Sequence, residues 1–74
     1  MRNKSRHAQF LRQTLEEIYE NYRDEMKSTL DLEQIYPDRF LDAEFSAYFK
    51  QRVEQLDTLI AFYHALIIAS KNRN

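Results

Sequence analysis

Two pairs of side chains offer the most obvious chemistry in this chain. His7 and His64 are the only histidines, and imidazole is a common ligand of transition metals. Glu16 and Glu20 lie four residues apart, a spacing that puts two carboxylates on one face of a helix. Helical di-iron sites use such glutamates together with Glu-x-x-His pairs, which this sequence lacks. We therefore expect solvated carboxylates, histidines without a third ligand, and no metal site.

Other catalytic chemistry lacks its residues. The chain has no cysteine, which excludes thiol nucleophiles, Cys-based zinc sites and disulfides. It also has no glycine, so the glycine-rich loops that bind nucleotide phosphates cannot form. The sequence predicts a protein that is not an enzyme, with no catalytic residue and no cofactor.

The first element that must position these residues is a long amphipathic helix. Apolar side chains recur at alternating steps of three and four, which is the spacing of one helical stripe. We predict this helix from about Ser5, a possible N-cap, to about Leu30. The stripe consists of Ala8, Leu11, Leu15, Ile18 and Tyr22.

The middle of the chain, residues 31 to 41, is predicted to turn. The apolar period slips after Leu30, and Pro37 disfavours helical geometry at the residue before it. We place the break near Asp31, with a short helical turn after it; the alternative is that the first helix runs on to Ile35. Either Asp38 or Asp42 can cap the helix that follows.

The second helix is predicted over residues 42 to 70 and carries two apolar stripes. One stripe contains Phe49, Val53, Leu56, Ile60, Tyr63 and Ile67. The other contains Leu59, Phe62, Leu66 and Ala69. The last three turns are therefore apolar nearly all round, and a single partner helix is too narrow to cover them.

These elements predict an all-α fold, a helical hairpin of two long antiparallel helices in one domain, with residues 1–4 and 71–74 as frayed tails. We expect two copies to form a four-helix bundle, because twofold dimers are the commonest oligomers. A monomer with a third short helix and an obligate hetero-complex are the alternatives. The predicted dimer interface comprises Leu59, Ile60, Phe62, Tyr63, Leu66 and Ile67.

The net charge of −1 hides an uneven distribution. Residues 1–15 carry +4, residues 16–44 carry −7 and residues 45–74 carry +2. A hairpin would gather both termini into a basic pole and would leave an acidic pole at the turn. The basic pole comprises Arg2, Lys4, Arg6, Arg12, Lys71 and Arg73. Contact between this pole and nucleic acid phosphates is the alternative function, which the acidic majority of the surface opposes.

Aromatic side chains concentrate around the predicted turn. Tyr36, Phe40, Phe45 and Tyr48 either close the hairpin or anchor a partner protein, because aromatic residues dominate both cores and binding hot spots. The sequence thus favours a small homodimeric module for protein–protein interaction, with a regulatory or adaptor role. The longest apolar stretch spans only residues 59–69, so we expect no transmembrane segment. In the absence of a secretory signal pattern, we expect a cytoplasmic location.

Overall fold

The chain forms a helical hairpin. The computed structural model describes the backbone of residues 2 to 72 and the side chains of residues 6 to 72. Helix α1 runs over Arg2–Ile35, a short 3-10 helix over Pro37–Leu41, and helix α2 over Ala43–Asn72. The long helices pack against each other, and residues 2 to 72 contain no strand. This confirms the predicted all-α hairpin of two long helices.

Both helices extend beyond their predicted bounds. Residues 2–4 and 71–72, predicted as tails, are helical, whereas Met1 and residues 73–74 lie outside the described residues. At its other end α1 continues past Asp31 to Ile35, so the predicted break near Asp31 is wrong and the alternative is correct. The reason is that nothing before Pro37 interrupts the backbone hydrogen bonds. The Tyr36 amide still donates to the Leu32 carbonyl at 2.8 Å.

Asp42 caps α2, which decides between the two predicted caps. Its backbone is extended, and its Oδ1 accepts hydrogen bonds from the amides of Glu44 at 2.8 Å and Phe45 at 3.2 Å. These amides have no partner within the helix, so the carboxylate supplies one. Asp38 lies inside the 3-10 helix instead. The Asp42 cap therefore fixes the residue at which α2 leaves the turn.

The interior of the hairpin is very small. Among the side chains of residues 6 to 72, only Leu56 (0% exposed) and Ile67 (6%) are buried. In the apolar stripe of α1, Leu15, Ile18 and Tyr22 are half-buried, whereas Ala8 and Leu11 are exposed. The molecule is a rod of 58 × 17 × 13 Å with a radius of gyration of 17.0 Å, against about 11 Å for a compact domain of this length. Two helices alone do not enclose a core.

None of the helices between residues 2 and 72 combines the length and apolar character needed to cross a bilayer.

Candidate interaction surfaces

Aromatic stacking marks the two edges of the helix–helix contact. On one edge the ring of Tyr22 stacks on Tyr63 with centroids 5.7 Å apart. On the other edge Tyr19 stacks on His64, also at 5.7 Å, and the Arg23 guanidinium lies 5.7 Å from the Tyr19 ring. The partners Tyr63 and His64 are adjacent on α2 and therefore point about 100° apart, so the two stacks lie on opposite edges of the contact. We call these the Tyr22 side and the Tyr19 side.

The residues first considered for chemistry are not brought together. His64 is exposed and lies level with Tyr19, so His7, twelve residues earlier on α1, is about 18 Å away along the axis. Glu20 is exposed and Glu16 half-buried. In the part of the chain that the structure describes, no cluster of three or more His, Cys, Asp or Glu side chains has the arrangement of a metal site.

An open groove follows the Tyr19 side toward the turn. Its volume is about 640 Å³, and its apolar lining residues are Met26 and Leu30 of α1 and Ile60 of α2. Its lining consists of Glu20, Arg23, Asp24, Met26, Lys27, Leu30, Asp31, Asp57 and Ile60. The rim therefore mixes four acidic and two basic side chains around a narrow apolar floor. Because the groove is open, water reaches the carboxylates that line it.

The turn splits the predicted aromatic cluster into two groups. Phe40 packs edge-on against Phe45 at 5.0 Å and against Phe49 at 4.7 Å, and all three are half-buried. The Ser46 hydroxyl donates to the Phe40 carbonyl at 2.8 Å and holds this packing in place. Phe40 and Phe45 therefore close the hairpin, whereas Tyr36 and Tyr48 remain exposed.

Apolar side chains that the sequence did not single out extend the exposed group. Leu41 is 86% exposed, the most among the large hydrophobic side chains between residues 6 and 72, and Ile35 is 60% exposed. Leu41 follows the packed Phe40 within the 3-10 helix, where successive side chains point in different directions. We call Ile35, Tyr36, Leu41 and Tyr48 the turn-end surface.

A second apolar surface lies on the Tyr22 side. Leu59, Phe62 and Leu66 recur at steps of three and four on α2, and Phe62 packs edge-on against Tyr63 at 5.2 Å while remaining 55% exposed. On α1, Leu11, Ile18 and Tyr22 follow one another at steps of seven and four residues, so they lie on the same side of the helix. We call this set the apolar face. Its members are Leu11, Ile18, Leu59, Phe62 and Leu66.

Three residues of the predicted dimer interface also pack within the single hairpin. Ile67 is buried within the single chain, and Tyr63 is half-buried under the Tyr22 ring. Ile60 is also half-buried, at the floor of the groove. Ile67 therefore has little area left for a second copy, whereas Ile60 and Tyr63 are half-buried, like Leu59 and Leu66, and keep part of their area exposed. On α1, Leu11 and Ile18 extend the candidate face.

Charge separates along the rod. Dividing each helix at its midpoint, residues 19–57 hold ten acidic and five basic side chains, a net charge of −5. Residues 1–18 and 58–74 hold two acidic and six basic side chains, a net charge of +4. Within the predicted basic pole, Arg6 and Lys71 are exposed and Arg12 is half-buried. The side chains of Arg2 and Lys4, and Arg73, lie outside the described residues.

One ion pair ties the two helices together within the acidic half. The Arg52 guanidinium donates to the Glu25 carboxylate, with the side chains 40% and 48% exposed. At that exposure water screens the attraction, so the pair adds little stability. It neutralises one acid of the turn half and leaves its other carboxylates in excess.

The chain exposes more surface than a folded protein of its size. Its accessible area is 6469 Å², whereas a compact monomer of 9.0 kDa exposes about 4,900 Å². The excess of about 1,600 Å² matches the area that one subunit of an obligate dimer buries, about 1,000–2,500 Å². The elongated shape and the small core account for this larger accessible area.

Comparison with protein-family models, with characterised proteins and with solved structures returned no significant match. The surfaces of this helical hairpin must therefore be interpreted from its own residues.

Proposed function

We propose that this chain is a non-enzymatic protein–protein interaction module that works as a helical homodimer. Two hairpins pack through their apolar faces into a four-helix bundle, and the turn-end surface of each copy binds another protein. The role is that of a small regulator or adaptor, and the cytoplasmic location stays a prediction of the sequence.

The observation that carries this proposal is the excess accessible surface. Among the described side chains only Leu56 and Ile67 are buried. A monomer with so small a core buries too little apolar area to offset the conformational entropy lost on folding. Covering the exposed Phe62 ring and the remaining exposed area of the half-buried Leu59 and Leu66 with a second copy removes apolar surface from water, at roughly 25 cal/mol for each Å² buried. The packing of two hairpins also produces a bundle in which all four helices share one core.

Sedimentation equilibrium over a concentration series tests the dimer. We expect the wild-type chain to sediment as a dimer, and Phe62→Asp to dissociate it because a carboxylate would be buried without a partner. Ala61→Asp is the matched control: it adds the same charge to an exposed position one residue earlier, about 100° away around α2, and should remain dimeric. A wild-type chain that is a folded monomer at all concentrations would contradict the proposal.

The turn-end surface supports the partner-binding half of the proposal. Leu41 and Tyr36 expose apolar area without contributing to the Phe40 packing, and exposed aromatic and aliphatic anchors are typical of binding sites. The double variant Tyr36→Ser, Leu41→Ser should keep the wild-type melting temperature and the dimer. It should lose at least tenfold in affinity for a protein that co-purifies with the wild type. Unchanged affinity would refute the assignment of this surface.

A further inference from the structure

We infer that the two copies lie antiparallel in the bundle, so that the acidic turn end of each copy lies beside the basic terminal half of the other. This inference rests on the proposed dimer and assigns the orientation of its second copy. It makes the dimer a bivalent rod, with one turn-end surface at each end.

Symmetry leaves two ways to pack two hairpins through the apolar face. A twofold axis along the bundle places turn beside turn, whereas a twofold axis across the bundle places each turn beside the partner's termini. Both arrangements bury the same apolar face. The orientation is therefore decided by what lies at the two ends.

Charge discriminates between these arrangements. By sequence the turn half of each hairpin carries −5 and the terminal half +4. The described side chains of the terminal half carry +1, from Arg6, Arg12 and Lys71 against Glu16 and Glu17. A parallel dimer would place two halves of −5 side by side and two halves of +4 side by side, which costs free energy through like-charge repulsion. The antiparallel dimer brings halves of opposite charge together at both ends. The Glu25–Arg52 pair does not change this, because both its members belong to the turn half.

The position of the apolar face puts the two turn ends at opposite ends of the antiparallel dimer. Phe62 lies at the centre of the apolar face on α2 and Ile18 lies near its centre on α1, so the twofold axis passes near these residues. Gln34 is sixteen residues from Ile18, or about 24 Å along the axis. The turn-end surface of each copy therefore lies about as far from the axis as the rod allows. One dimer can hold two partner molecules at opposite ends, which raises the effective affinity for any assembly that presents two binding sites at that spacing.

Pulsed electron paramagnetic resonance on the full-length chain tests the orientation. The chain has no cysteine, so each single-cysteine variant takes one nitroxide label per copy. Gln34→Cys labels an exposed, uncharged position near the turn. Ala65→Cys labels an exposed position level with the apolar face along the axis but about 100° away from Leu66 around α2. The antiparallel dimer predicts about 45–50 Å between the two Gln34→Cys labels and less than about 30 Å between the two Ala65→Cys labels.

The outcomes separate the inference from the proposed function. A short distance for both variants would show a parallel dimer, which overturns the orientation and leaves the dimer intact. The absence of any intermolecular distance in both variants would overturn the dimer, and the orientation with it. A long distance for Gln34→Cys together with a short one for Ala65→Cys supports the antiparallel bundle.

Discussion

The ring of Tyr22 on α1 stacks on that of Tyr63 on α2, with their centroids 5.7 Å apart and their planes inclined by 27°. This contact joins the two helices on the same side as the exposed Phe62 ring, which packs edge-on against Tyr63. The three rings form a continuous aromatic row from the hairpin interface to the apolar face. Tyr63 therefore contacts both the facing helix of its own hairpin, through Tyr22, and the Phe62 ring of the proposed dimer surface.

A double-mutant cycle on Tyr22 and Tyr63 should measure this contact directly. We expect Tyr22→Leu and Tyr63→Leu each to lower the free energy of unfolding, with a coupling energy of about 0.5–1.5 kcal/mol from the lost ring–ring contact. Urea denaturation followed by circular dichroism gives the four free energies. Strictly additive effects would show that the rings contribute only through their apolar area.

Leu56→Ala should be the most damaging truncation in the hairpin. Its side chain is fully buried, and removing it costs about 2–5 kcal/mol, comparable to the entire stability of a core this small. We expect loss of the thermal transition or a fall in melting temperature of more than about 10 °C. Leu41→Ala makes the same change at an 86% exposed position and should leave the transition unchanged. Equal effects of the two variants would contradict the observed burial.

The Asp42 cap predicts a graded response to substitution. Asp42→Ala removes the oxygen that accepts from the Glu44 and Phe45 amides and should cost about 1 kcal/mol. Asp42→Asn keeps an accepting oxygen and should recover most of this loss. Asp38→Ala removes a carboxylate from the 3-10 helix as a control, and we expect less than half the effect. Thermal melts at one protein concentration compare the three variants.

Substitution of Phe40 should lower the stability of the fold, whereas substitution of Tyr36 should not. Phe40→Ala removes the ring that packs against Phe45 and Phe49 and should cost about 1–3 kcal/mol of folding free energy. Tyr36→Ala, at a 51% exposed position, should change the melting temperature by less than about 2 °C. Differential scanning calorimetry separates the two roles. A stable Phe40→Ala variant would mean that the turn does not depend on this packing.

The exposed ion pair should contribute little. A double-mutant cycle with Glu25→Gln and Arg52→Gln should give a coupling of about 0.2–1 kcal/mol, and it should shrink as salt is raised from low ionic strength to about 0.5 M. The measurement is the free energy of urea unfolding for the four proteins. A coupling that salt does not change would indicate a contact more buried than the structure shows.

The sequence predicted the features that depend on local pattern. The apolar stripe that includes Leu15, Ile18 and Tyr22 specified α1, and the choice between Asp38 and Asp42 for the second cap included the correct residue. The end of α1 was misplaced because the slip of the apolar pattern after Leu30 does not stop the helix, in which Leu32 is still half-buried and Ile35 is exposed. The backbone can continue until Pro37 removes its amide.

The candidate surfaces depend on distances between elements, which periodicity does not supply. Phe40 and Leu41 are adjacent large apolar residues, yet one packs into the turn and the other is 86% exposed. Only the 3-10 geometry of the turn distinguishes them. Similarly, Ile67 belonged to an apolar helix face in the sequence, and its burial within one chain follows from the register at which α1 and α2 meet.

With a core of only two buried residues among residues 6 to 72, the folded fraction of the proposed dimer would depend on the concentration of the protein. When folding and association are one equilibrium, the folded fraction depends on the number of copies present, and dilution alone unfolds the chain. If this chain folds only as the proposed dimer, it would have a threshold of expression below which it is unfolded and open to proteolysis. Its cellular activity would then rise more steeply than its rate of synthesis.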